Sequence, residues 1–143
     1  MTGKVFLVGA GPGDPSLITL RAVELIKKAD VVLYDRLVSK KILSMVPKKA
    51  KAVYVGRAVG DDYKHQDYTN ELMVKYAKTK RCIVRLKGGD PIMFGRGGEE
   101  AEYLKKHKIQ FEIIPGITSG IGSATYAGIP LTHRKFASSV VFV

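Results

Sequence analysis

Cysteine is nearly absent from this 143-residue sequence. Cys82 stands alone, which excludes an internal disulfide and implies a reducing compartment. Its strand-like neighbours place it in the core. Acidic residues are scarce as well, 13 against 24 lysines and arginines, so the formal net charge is +11. No apolar run approaches the roughly 20 residues that span a bilayer, and the opening MTGKVFLVGAG lacks a signal-peptide layout. A cytoplasmic protein without a membrane partner is the expectation. The three histidines, His65, His107 and His133, lack metal-ligand spacing and are expected in surface or structural positions, with no metal bound. Low-complexity segments and internal repeats are missing. With 45% hydrophobic and 26% charged residues the chain is globular rather than disordered. Its length suits one core, or one domain plus a fragment of a second.

The excess of positive charge has three readings. Nucleic acid is one, but the lysines are scattered along helical stretches (Lys27, Lys28, Lys40, Lys41, Lys75, Lys78) with no basic tail or aromatic platform among them. The expectation is therefore no nucleic-acid partner. A small polyanionic substrate, steered toward its site, accounts for the charge equally well. A solvated lysine-rich surface supplies most of the remainder.

Apolar runs alternate with helical periodicity along the whole chain. Strands are expected at Lys4–Val8, Val31–Tyr34, Ala52–Val55, Cys82–Leu86 and Phe111–Ile114, with a last one at Ser138–Val143. Helices are expected at Ser16–Ala29, from a Ser39 cap to Met45, and at Tyr68–Thr79, Glu99–His107 and Ser119–Ala127. Such alternation argues for an α/β fold: an open, mostly parallel sheet with helices on both faces and right-handed crossovers. The loops GAGPGD, YDRLV, VGRAVG, LKGGDP and PGITS each follow a strand, so all converge on the carboxyl edge of the sheet, where such folds bind ligands. Pro115-Gly116 marks a boundary between a domain at 1–114 and a linker at 115–143 that opens a second α/β domain.

The chain is organised around Arg85–Glu100, RLKGGDPIMFGRGGEE, between a strand-like and a helix-like run. Glycine is costly to order, so five in one loop point to backbone that must approach something closely. The first loop, GAGPGD, resembles a dinucleotide fingerprint, with Asp35 ending the second strand where a ribose would be held. A nicotinamide-dependent oxidoreductase is thus one reading. Against it, Asp14 occupies the sixth position and would set a carboxylate near a pyrophosphate, while Pro12 and Pro15 interrupt the turn. No Gly-Lys-Ser/Thr follows, which excludes a triphosphate loop. A glycine-rich edge carrying Asp14 and Asp90 suits a ligand with hydroxyls, amide-type edges and positive charge, properties that S-adenosylmethionine combines.

GAGPGDP, ADVVLYDRLV, RLKGGDP-x-x-FGRGGEE, IPGITS and YAGIPLTHR together resemble the tetrapyrrole methylase family, from about Lys4 to the last residue. YDRLV and the long GGDP-to-GGEE block resemble the branch acting on uroporphyrinogen III. The resemblance implies transfer of two methyl groups from S-adenosylmethionine to ring carbons, giving precorrin-2 for sirohaem and cobalamin, with S-adenosylhomocysteine as product. It implies Pro12, Gly88, Gly89, Asp90, Met93, Thr118 and Ser119 at the cofactor, and Asp35 as proton acceptor. Where the family usually shows a lysine taken as proton donor, this chain has Arg57. Arginine stays charged far above neutral pH, so Arg57 reads as a catalytic-site clamp on a substrate carboxylate. Arg21, Arg36 and Arg96 are further candidates to face acidic groups of the substrate, and His133 lies in the family's THR motif. Family members continue through a complete second domain, so the chain reads as truncated. Its SSVVFV end would be an exposed edge unless paired, as across a homodimer. A non-catalytic tetrapyrrole- or anion-binding fragment is the alternative that this raises.

Overall fold

The computed structural model describes residues 2–56 and 64–143. Five strands, β1 (Lys4–Gly9), β2 (Val31–Tyr34), β3 (Lys51–Tyr54), β4 (Cys82–Lys87) and β5 (Gln110–Ile114), form one sheet in the order β3-β2-β4-β1-β5. Every pairing is parallel. β1 and most of β4 are apolar on both sides because both lie inside the sheet, covered above and below.

Alternation along the strands then sorts the core into two layers. Phe6, Val8, Val32, Val84 and Leu86 point toward α1 (Leu20–Lys28) and α2 (Lys40–Leu43), where they meet Ala22, Leu25, Ile26 and Ile42. Val5, Leu7, Val31, Leu33 and Ile83 point the other way, against Leu72, Met73 and Ala77 of α3 (Lys64–Ala77) and Leu104 of α4 (Gly97–Lys106). Helices therefore cover both faces, as expected. Because α1 and α2 lie on one face and α3 and α4 on the other, β4 sends its chain to the opposite face from both of its neighbours, β1 and β2. Loops that part in this way leave a crevice above the strand between them.

The first expected helix divides in two. Asp14 caps a short 3-10 turn at Pro15–Leu17, accepting from Ser16 N–H at 2.8 Å. Thr19 then caps α1 by accepting from Ala22 N–H at 3.2 Å. Two capping side chains five residues apart each fix their own start, which the apolar spacing alone does not reveal. Ser39 caps the four-residue α2 as expected, though the helix stops at Leu43.

The expected last strand at 138–143 does not form. The chain leaves α5 (Ser119–Tyr126), makes a turn closed by His133 and Ala137, and adds no ladder to the sheet. Phe142 instead lies over Gly120 of α5, where a side chain at Gly120 would run into its ring. Val141 and Val143 remain exposed. No described helix is long and apolar enough to cross a membrane.

Candidate active site

At the carboxyl edge the loops after β1 and β4 are joined through their backbones. Gly11 N–H donates to Gly89 O at 3.1 Å, and Gly89 N–H donates to Gly11 O at 2.7 Å. Both glycines take the left-handed conformation, φ 72° and 66°, that this pairing requires. Beneath them the loop after β5 passes so close that a Cβ on Gly9 would stand 2.6 Å from Gly116 N and 2.7 Å from Gly89 O. A Cβ on Gly116 would collide with the same carbonyl. Three loops thus cross in bare backbone contact. Gly116→Ala is expected to destabilise the protein by about 1–3 kcal/mol, the cost of overpacking a site that cannot relax. Thermal melting checks it, and a melting point equal to the parent's would show that the crossing yields.

Asp90 ties the crossing together. Its Oδ1 accepts from the N–H groups of Ile92 (2.8 Å) and Met93 (3.2 Å), and its Oδ2 accepts from Gly116 N–H at 3.0 Å. The carboxylate expected at the cofactor is thus engaged with backbone, lashing the β4 loop to the β5 loop. Asp14 is likewise occupied: it accepts from the Ser16 hydroxyl at 2.7 Å and the Tyr126 hydroxyl at 3.2 Å. The Ser16 backbone and hydroxyl, foremost, hold its carboxyl below the usual range.

These loops enclose a cleft of about 510 Å³. Of the expected site residues, Pro12, Asp35, Gly88, Gly89, Met93, Thr118 and Ser119 line it together, along with Arg36 and Arg96. Next to it lies an apolar hollow of about 440 Å³, walled by Ile92, Met93, Ile117 and Ile121, with Asp90 at its edge. Arg57 and the side chain of His65 fall outside the described residues. Arg21 is not at the cleft: it pairs with Glu24 at 2.9 Å and Glu112 at 3.7 Å on the surface. His107 bonds the Tyr103 carbonyl at the end of α4, and His133 accepts from Lys135 N–H within its turn, so both serve local structure. No group of three or more candidate metal ligands occurs among the described residues.

Three charged residues of the site are missing from the sequence reading. Arg85 and Lys87 alternate on β4 and so share the α3/α4 face, where an apolar pair would be expected. Between them sits Glu100 of α4, fully buried, with its Oε1 3.1 Å from Arg85 Nε and both oxygens 3.0 Å from Lys87 Nζ. Arg85 also reaches Asp35, whose Oδ2 lies 3.4 Å from its guanidinium. Burial, aided by neighbouring Arg85, pushes the Lys87 ammonium below its ordinary pKa against the pull of Glu100. The signal in the sequence was the pair of cations at period two in an otherwise apolar central strand.

The β4–α4 loop carries strain on the same side. Phe94 and Arg96 both adopt the left-handed region, φ 53° and 57°, without being glycine. Each such residue costs of order 1 kcal/mol and persists where its surroundings impose it. Here the closure of Gly97 N–H onto Pro91 O at 2.9 Å and the two-point pair of Arg96 with Glu99, 3.0 and 2.6 Å, impose it.

A parallel sheet wound on both faces, with a loop-built cleft over its central strand, defines a protein of the doubly wound α/β class, with its cleft where such folds bind small molecules. Residues 4–142 match the family described as Tetrapyrrole (Corrin/Porphyrin) Methylases, and the chain belongs to that family. It is 57% identical over 141 residues to the uroporphyrinogen-III C-methyltransferase of Bacillus subtilis, covering 99% of this chain and 55% of that protein. The siroheme synthase of Nitrosomonas europaea is 57% identical over 142 residues, covering 99% of this chain and 30% of that one. Among solved structures, the native uroporphyrin III C-methyl transferase of Thermus thermophilus superposes with a TM-score of 0.84 at 47% identity, over 96% of this chain and 57% of that one. A second structure of the Thermus enzyme, complexed with S-adenyl homocysteine, gives 0.79 at 46% identity over 96% of this chain and 53% of that one. The chain thus spans little more than half of the Bacillus relative and less than a third of the Nitrosomonas one.

Proposed function

We propose that this chain serves S-adenosylmethionine-dependent C-methylation of uroporphyrinogen III to precorrin-2, the step shared by sirohaem and cobalamin synthesis. The observation that carries the reading is one cleft lined both by the paired Gly11–Gly89 loops and by Asp35. Gly88 and Gly89 present backbone at the cleft, and the missing side chain at Gly88 lets Leu37 pack against this loop, since a Cβ there would stand 2.6 Å from Leu37 Cβ. Pro12, Met93 and the neighbouring isoleucines give an apolar wall for an adenine or a thioether chain. α5 opens at Thr118 and Ser119 on the cleft, and the free N–H groups of a helix start suit a ligand's carboxylate or hydroxyls. These residues fit the cofactor, whose sulfonium supplies an electrophilic methyl group.

The acceptor is an electron-rich pyrrole carbon, and after the new C–C bond forms a proton must leave. Asp35 stands at the cleft wall to take it. Arg36 and Arg96 line the same cleft and supply positive charge for the carboxylates of the substrate, and Arg57 acts as a further carboxylate clamp. The net charge of +11 favours the approach of a polyanion. Residues 115–143 begin a second α/β unit, and the protein works in the cytoplasm as a homodimer.

Calorimetric titration of the full natural polypeptide tests the reading against the dinucleotide alternative. S-adenosylhomocysteine is expected to bind and NAD is not. Binding of NAD with none of S-adenosylhomocysteine would sink the proposal.

A further inference from the structure

Arg85 and Lys87 also line the cleft, yet with Glu100 they have no part in the reaction as proposed above. Arg85, whose side chain is 6% exposed, spends its whole guanidinium group on neighbouring groups of the chain. Nε donates to Glu100 at 3.1 Å, one terminal nitrogen to the Leu86 carbonyl at 3.1 Å, and the other to Asp35 at 3.4 Å. Lys87 closes the far side of Glu100. An ion cluster that served packing alone could end anywhere in the core. This one ends on Asp35, 21% exposed at the cleft wall.

We propose that Arg85 is a positioning residue for Asp35, itself held in register by Glu100 and Lys87. The inference rests on the reading of Asp35 as proton acceptor. A carboxylate turns easily about its last torsion, which has broad wells. Here the Asp35 Oδ1 accepts from Leu37 N–H at 3.0 Å while Oδ2 faces Arg85, so the plane of the group is set from two sides. A planar guanidinium with three nitrogens fixed can do this, whereas an ammonium is a single point of charge. The charged groups around Asp35 are Arg85 and Lys87 from β4, Glu100 from α4, Arg96 from the loop between them and Arg36 from its own loop. Only Arg85 among the described residues is paired with it.

The full natural polypeptide tests this with kinetics and with the nuclear magnetic resonance signals of the Arg85 guanidinium. Arg85→Met is expected to lower kcat by roughly 10- to 100-fold, the range for a misplaced catalytic group. The KM for uroporphyrinogen III and the affinity for S-adenosylhomocysteine should stay within about threefold, since the Arg85 nitrogens are spent on Glu100, Leu86 and Asp35 although the residue lines the cleft. Arg85→Lys should recover part of the loss. In an Asp35→Asn background Arg85→Met should add no further loss, because both act through one group. A raised KM at unchanged kcat, or losses that multiply in the double variant, would overturn the proposal. The resonance readout stands apart from activity and from the folding of any Arg85 variant. Asp35→Asn should shift the Arg85 guanidinium signals, and signals that stay in place reject the positioning role. If they shift while Asp35→Asn leaves kcat intact, the positioning geometry holds and the proton-acceptor reading fails.

Discussion

Asp35→Asn is expected to lower kcat by roughly two to four powers of ten, the usual worth of a general base. Affinity for S-adenosylhomocysteine should stay near the parent value. The reason lies in the strand order. Asp35 follows β2, while the Gly88–Gly89 backbone follows β4, so the acid and the glycine loop stand on separate elements that line one cleft. Asparagine keeps the shape and can still accept from Leu37 N–H, the bond that shapes the loop at 3.0 Å in the parent. What it loses is the capacity to take a proton, together with the negative charge that faces Arg85. Steady-state kinetics with calorimetry decides the matter: a variant that loses cofactor affinity but keeps its maximal rate contradicts the assignment.

Glu100→Ala should have the largest effect on stability, about 3–5 kcal/mol, because it strands buried cations without their shared anion. Arg85 would retain Asp35, but Lys87 would lose the carboxylate that holds it 3.0 Å away on both oxygens. The loss should also depend on pH, with a definite sign. Burial already depresses the Lys87 pKa from 10.5, and Glu100 opposes that shift. Without Glu100 the folded value falls further, so the unfolded chain binds that proton more strongly over a wider range. Stability of the variant must then rise with pH from its folded value up to about 10.5. The deficit should be greatest at neutral pH and shrink in alkali. Denaturant unfolding at several pH values measures it. A pH-independent deficit would mean that Lys87 finds another anion.

The sheet was legible because its signals are local. Apolar runs such as Val5–Val8 and Val31–Leu33 end in glycine- or aspartate-bearing loops, and one strand after another does so in the same direction. Parallel pairing and a common carboxyl edge follow from that alone. What stayed hidden depends on neighbours in space. The strand order puts β2 beside β4, with Leu33 opposite Arg85, and that brings Asp35 onto the guanidinium. No spacing in the sequence announces a partner 50 residues away. Asp90 shows a different limit. Its position in the loop was evident, but three backbone donors claim its oxygens, one of them from Gly116 beyond β5. The valine-rich 138–143 segment has the composition of a strand, yet Phe142 finds α5 before the backbone finds a sheet edge.

The most direct test supplies methyl-labelled S-adenosylmethionine and uroporphyrinogen III to the full natural polypeptide and follows the label by mass. A tetrapyrrole that gains two methyl groups on carbon is expected, with one S-adenosylhomocysteine formed for each. S-adenosylhomocysteine binding without any transfer of label to the tetrapyrrole would contradict it.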